Sequence, residues 1–259
     1  MPPDELLHPT PQGLYCPLGD FYVDPVRPVD KAVITHGHAD HARAGHGAVL
    51  ATPETLAIMA VRYGEDFTGQ RQSLGYGEGV TINGVDVCLV PAGHVLGSAQ
   101  AVITHKGTRI VVSGDYKRRP DPTCALFEPV PCDVFVTEAT FALPVFRHPP
   151  TAQEVGKLLT SLGNFPDRTH LVGAYALGKA QRVIALLRAE GYDAPIHLHG
   201  AAQRLTEYHV AQGIALGDLR PATTPKDIEG QVVIAPPSAF ASPWVQRFRD
   251  PVISFASGW

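Results

Sequence analysis

The chain has 259 residues, 21 Lys and Arg against 25 Asp and Glu, a formal charge of −4, and 44% hydrophobic residues. That apolar share excludes a disordered chain, and 24 Pro with 25 Gly exclude a coiled coil in favour of short elements joined by shaped loops. The mild acidity argues against a globally basic nucleic-acid binder but leaves room for a local basic groove. Four cysteines without a CxxC pair argue for reduced thiols. No apolar run approaches the ~20 residues of a membrane helix. The opening MPPDELLHPT lacks the basic and apolar regions of a signal peptide. A cytoplasmic protein with no membrane partner is the expectation.

In chain order, Phe21-Tyr22-Val23 reads as a strand ending on Asp24, and Ala32-Val33-Ile34 as a strand leading into Thr35-His36-Gly37-His38-Ala39-Asp40-His41. Four histidines, His36, His38, His41 and His46, fall within eleven residues. In extended chain, residues i and i+2 point the same way, so His36 and His38 present two imidazoles on one side. Gly37 and Ala39 permit a turn, after which Asp40 and His41 face the same space from the start of a helix. Imidazoles with a carboxylate make a borderline-soft donor set that suits zinc. Thr52 and Pro53 then read as N-cap and first residue of a helix. Asn83-Gly84 reads as a hairpin turn. Three further strands each end near a polar residue: Val85–Val90 before His94, Ile110–Val112 before Asp115, and Val134–Val136 before Glu138. Glu138 and Asp24 also suit N-capping or support of a ligand. Lys117, Arg118 and Arg119 follow Asp115 and fit either phosphate contact or a solvated charge run. His8, His105, His148, His170, His197, His199 and His209 read as structural or surface residues.

After Phe141-Ala142-Leu143-Pro144 the pattern changes. Thr151-x-x-Glu154 reads as a capping box opening a helix. Strand and helix then alternate: 170–172, helix 178–190, strand 195–199, helix 201–212, strand 231–235, which suggests a parallel α/β unit. Gly173 to Ala180 matches GxxxxGK, but Ala180 stands where a phosphate loop needs Ser or Thr to hold magnesium. Lys179 at that helix start remains a phosphate-contact candidate, against a plain tight turn.

Asp24, the HxHxDH cluster at 36–41, His94 and Asp115 stand in the order of the metallo-β-lactamase fold, which the chain resembles. Glu138 in TEATF and the segment Tyr175 to Gln181 resemble its β-CASP nuclease branch. TPQGLYCPLGD, GDYKRRPDPTCALFEPVPCDVFVTEATF and GAYALGKAQRVI are similar to bacterial ligase-associated DNA exonucleases. The resemblance implies an αββα sandwich with an inserted parallel α/β domain: residues 1–145 the first part of the lactamase domain, 146–246 the insertion, and 247–259 the start of the return. It implies that His36, His38 and His94 bind one zinc, Asp40 and His41 a second, and that Asp115 bridges both. Asp24 orients a ligand or water, and Glu138 supports a ligand or relays a proton. Manganese is the alternative metal. Two later histidine motifs of that branch are missing, so a C-terminally truncated member with an incomplete second site and weak activity is expected. The implied reaction is phosphodiester hydrolysis of DNA, or RNA, by hydroxide that two zinc ions generate from water, with a functional link to a DNA ligase. The alternatives are a small-molecule hydrolase of thioesterase or lactonase type and a non-catalytic nucleic-acid-binding fragment.

Overall fold

A computed structural model describes residues 2–257; Met1, Gly258 and Trp259, which the sequence reading touches at both ends, lie outside the described residues. The chain divides into two compact units, one through Ala139 and one from Thr140.

The first unit is built on two sheets. The first sheet holds β1 (His8–Thr10), β2 (Gly13–Cys16), β3 (Phe21–Val23), β4 (Lys31–Val33), β5 (His46–Ala51) and β6 (Thr68–Ser73) in that order. β1 to β3 pair antiparallel and β3 to β6 parallel. The short helix α1 (Pro3–Leu6) precedes β1, and α2 (Pro53–Tyr63) is the crossover between β5 and β6. The second sheet holds β7 (Gly79–Ile82), β8 (Val85–Pro91), β9 (Ala99–His105), β10 (Thr108–Val112) and β11 (Val134–Val136), antiparallel except for the parallel β10–β11 pair. Side chains alternate across a strand. In β8 this sends Val85, Val87 and Leu89 inward, against Phe21, Val23, Val33 and Leu50 of the first sheet. The outer face of the first sheet, Ala32, Val49 and Ala51, is covered by Leu56 and Met59 of α2. The described layering is thus helix on sheet on sheet.

Two tight hairpins set the second sheet. Asn83-Gly84 joins β7 to β8 as expected, with φ of 49° and 81°. Lys106-Gly107 does the same for β9 and β10, with φ of 47° and 86°. Two successive left-handed residues match the twist of the flanking strands. Thr52 caps α2 through Thr55 N, with Pro53 in the first turn.

The second unit is a parallel sheet of β12 (His170–Gly173), β13 (Ile196–Leu198), β14 (Leu219–Pro221), β15 (Val232–Ala235) and β16 (Val252–Phe255), in the order β14-β13-β15-β12-β16. Its helices are α3 (Thr151–Asn164), α4 (Lys179–Ala189) and α5 (Gly200–Ala211). Both faces of the central strands β12, β13 and β15 are buried, as is usual for parallel sheets. Val172, Ile196, Leu198, Val232 and Ile234 pack with Ile184 and Leu187 on one side, while Leu171 and Val233 pack with Ile228 and Phe248 on the other.

Three expectations need correction. Residues 39–42 form a turn in which His41 N and Ala42 N both donate to His38 O, at 3.1 and 2.7 Å, so no helix starts at Asp40. The Thr151–Glu154 capping box does not form: Pro150 takes the cap position, Thr151 is already helical, and Glu154 pairs with Lys157 at 2.7 Å. Val252–Phe255 does not leave for the first domain but pairs with β12, His170 opposite Val252 and Gly173 opposite Phe255.

Candidate metal centre

Four strand ends of the first unit meet at one place. Asp24 follows β3, Thr35–His41 follows β4, His94 stands three residues beyond β8, and Asp115 three beyond β10. Ile34 N donates to Leu50 O at 2.9 Å, and Thr35 O accepts from Ala99 N at 2.8 Å. The chain entering the histidine cluster is therefore held by both sheets. The His94 turn is closed by Ser98, whose Oγ accepts from His94 N and Val95 N at 3.0 and 3.1 Å. Gly114 (φ 54°) lets the Asp115 strand end approach Thr35: a Cβ there would lie 2.5 Å from Thr35 Oγ1.

The ring nitrogens converge. His38 Nδ1 lies 3.1 Å from both His36 Nε2 and His94 Nε2. Asp115 Oδ2 lies 3.8 Å from His36 Nε2 and 3.4 Å from His94 Nε2, and these four residues offer donor atoms within 4.8 Å of one another. The other oxygen, Asp115 Oδ1, faces His41 Nε2 at 3.4 Å, and Asp40 Oδ2 stands 3.9 Å from the same nitrogen. One carboxylate thus faces two donor sets: three imidazoles on one side, His41 and Asp40 on the other. The Asp40 side chain is 76% exposed, so it lies at the open side.

Asp24 also lies within ligand distance of His36 and His41, but its oxygens are already engaged. Oδ1 accepts from Thr35 N at 2.8 Å, and Oδ2 accepts from Thr35 Oγ1 at 2.6 Å and from His41 Nδ1 at 2.8 Å. Thr35 Oγ1 in turn lies 3.1 Å from His36 Nδ1. With its hydroxyl proton on Asp24, Thr35 accepts from His36 Nδ1–H. Asp24 therefore fixes both rings from behind, so that the Nε2 atoms of His36 and His41 point inward. Outer-sphere carboxylates of this kind set the tautomer of ligand histidines. Thr35 is the positioning residue that sequence reasoning missed; the signal available was a hydroxyl immediately before HxH.

Burial pushes His36, 1% exposed, well below the usual imidazole range, and the imidazoles of His41, His38 and His94 push the same way. Burial and His38 bring His94 down to about 4 against the pull of Asp115. His41 differs: burial lowers it, but hydrogen bonds to Asp115 and Asp24 and their charge outweigh burial and raise it to about 10. Burial raises Asp115, but His41 and His94 outweigh it and hold the carboxyl below its usual range.

The donor chemistry fits a divalent transition metal. Nitrogens held ~2.0–2.1 Å from a tetrahedral ion stand roughly 3.4 Å apart, close to the 3.1 Å between the ring nitrogens. Three imidazoles and a shared carboxylate suit zinc, while the smaller set of His41, Asp40 and Asp115 oxygen offers fewer donors among the described residues.

Parallel pairing of β10 and β11 puts Glu138, half-buried, at the same end of the sheet as Asp115, but outside the converging donor groups. The Lys117 amine pairs with buried Asp121, which also accepts from Thr123 N and Oγ1. Arg118 and Arg119 are exposed on the same loop. Lys179 opens α4 in the second unit, where Gly178 N donates to Gln181 Oε1 and Ala180 N to Tyr175 O. His46 is buried, and its Nδ1 accepts from Val29 N at 3.2 Å, a structural role.

No protein-family model matches the chain. It is 29% identical over 250 residues to a probable DNA ligase of Opitutus terrae, covering 95% of this chain and 24% of that protein. It is 27% identical over 216 residues to cleavage and polyadenylation specificity factor subunit 3 of Dictyostelium discoideum (70% of this chain, 28% of that one). It is 30% identical over 217 residues to the endoribonuclease ysh-1 of Neurospora crassa (70% of this chain, 25% of that one). The chain thus spans about a quarter of the length of these curated relatives.

Proposed function

We propose that this chain, a homologue of those endoribonucleases in the β-CASP nuclease branch, hydrolyses phosphodiester bonds of nucleic acid at a divalent-metal centre, with DNA digested from an end as its substrate. The observation that carries the reading is Asp115, whose two oxygens face His36 and His94 on one side and His41 on the other. Divalent cations bound there supply Lewis acidity toward a phosphoryl oxygen and lower the pKa of water. The chain's own residues do the rest. Asp24 and Thr35 keep the Nε2 atoms of His36 and His41 aimed inward. Asp40 at the open side and Glu138 at the neighbouring strand end are the carboxylates proposed to handle protons. Arg118 and Arg119, exposed beyond Asp115, are proposed to receive the phosphate backbone, with Lys117 held beside them by Asp121. Lys179 is a proposed phosphate contact of the second unit. A working link to a DNA ligase is proposed because 95% of this chain matches part of a protein described as one.

End-labelled single- and double-stranded DNA and RNA, incubated with zinc or manganese, test the reading. Metal-dependent shortening of DNA from an end, lost in Asp115→Ala, is expected. Cleavage of RNA but not DNA would correct the substrate. Hydrolysis of a thioester or lactone with no attack on any polynucleotide would overturn the proposal.

A further inference from the structure

The two loops that carry the three-histidine set are held from outside by one helix. At its start, Thr52 Oγ1 and Thr55 Oγ1, both buried, donate to the same carbonyl, Gly97 O, at 2.7 and 3.0 Å. Gly97 closes the turn that begins at His94, adjacent to Ser98, which binds the His94 amide. At the other end, Arg62 Nη1 donates to Gly37 O at 3.0 Å. Gly37 stands between His36 and His38, and its carbonyl belongs to the peptide that joins it to His38, so displacing that carbonyl turns the His38 backbone against His36. From Thr52 to Arg62 the helix rises about 15 Å at 1.5 Å per residue. Its buried face, Leu56 and Met59, is fixed on the first sheet. The helix is therefore a rigid spacer with one ligand loop tied to each end.

We propose that Arg62 is a positioning residue of the metal centre: with Thr52 and Thr55 it makes α2 the strut that sets the spacing of the His36–His38 loop against the His94 loop. Arg62 is exposed, so its packing contributes little to the fold. The Arg62 N–H holds the Gly37 carbonyl in place, and partners that hydrogen-bond a ligand side chain directly change metal affinity about 10–100-fold when removed, which puts the more remote Arg62 at the low end of that range.

This inference rests on the metal-centre reading, and two measurements separate them. The first is cobalt(II) and zinc affinity of the full chain by competition with a chromophoric chelator, with the cobalt d–d spectrum recorded. The second is hydrogen exchange of residues 35–42 in the metal-free chain. In Arg62→Met, metal affinity should fall about tenfold, the cobalt bands should shift, and exchange of 35–42 should accelerate, with the thermal midpoint of the metal-free chain unmoved. Arg62→Lys, which restores one N–H donor, should recover part of the affinity. Arg71→Met, at another exposed arginine, which lies on β6 and pairs with Glu65 ahead of that strand, should change none of these. Native affinity, spectrum and exchange in Arg62→Met would overturn the strut while leaving the metal centre intact. A wild-type chain that takes up no metal yet shows faster exchange in Arg62→Met would overturn the metal centre and keep the loop restraint. Faster exchange spread through both sheets would reduce Arg62 to a general stabiliser and also overturn the proposal.

Discussion

Asp24 holds a position that a carboxylate at a strand end does not announce. Its sequence neighbours suggest a cap or a support, and only the folded chain reveals three hydrogen bonds, two to Thr35 and one to His41. The convergence of His36 and His38 was legible because HxHxDH is local: period-two geometry alone aims the two rings together. Asp24 and Thr35 are 11 residues apart and meet through parallel pairing of β3 and β4, which no spacing rule supplies. Asp24→Asn keeps the shape but removes one acceptor, so it should weaken zinc affinity by about 10–100-fold in a chelator competition. The shifted imidazoles give a second outcome. His36 and His94 are held below the usual imidazole range, His94 at about 4, so in the metal-free chain the unfolded state takes up protons first. Their contribution to stability is complete above ~6.5 and is lost as pH falls toward about 4. His41 has the opposite sign: raised to about 10, it favours the fold below ~6.5 and that contribution is lost as pH rises through about 10. Urea midpoints of the metal-free chain should fall on both sides, and His41→Gln should flatten the alkaline side only.

At the scale of elements, strands and helices were readable wherever the burial period was regular. The inward Val85, Val87 and Leu89 and the strand–helix alternation after residue 165 are examples. Misses came from local chemistry overruled by context. Thr151 has the composition of a cap, but Pro150 ahead of it takes that position, and Glu154 turns to Lys157 instead. The Asp40 helix failed because the turn at 38–42 closes on His38 O, which turns His41 inward and leaves Asp40 at the open side. The Lys106-Gly107 hairpin was overlooked because Lys is an unusual first residue for a two-residue turn, although its φ of 47° follows the pattern of Asn83. Gly107→Ala, at φ 86° with open space around it, should destabilise by about 1 kcal/mol in urea and leave metal affinity unchanged.

For the whole molecule, two cores on either side of residue 140 account for the change in pattern after Phe141, and β16 extends the second of them. The placement of β16 could not be read from sequence because a four-residue apolar strand carries no signal of its partner. A net charge of −4 makes attraction to a polyanion depend on local groups such as Arg118 and Arg119. Binding of metal-loaded protein to single-stranded DNA should therefore weaken linearly in log–log terms with salt, with a slope of magnitude about 0.7 per phosphate contact. Arg118→Gln with Arg119→Gln should shallow that slope. The account depends most on Asp115 joining two donor sets around metal. Plasma emission analysis of the purified, zinc-equilibrated chain measures this directly, alongside His36→Ala and Asp115→Ala. The account predicts one to two zinc ions per wild-type chain and a loss in both variants; a wild-type chain free of metal, or variants that retain the full complement, would contradict it.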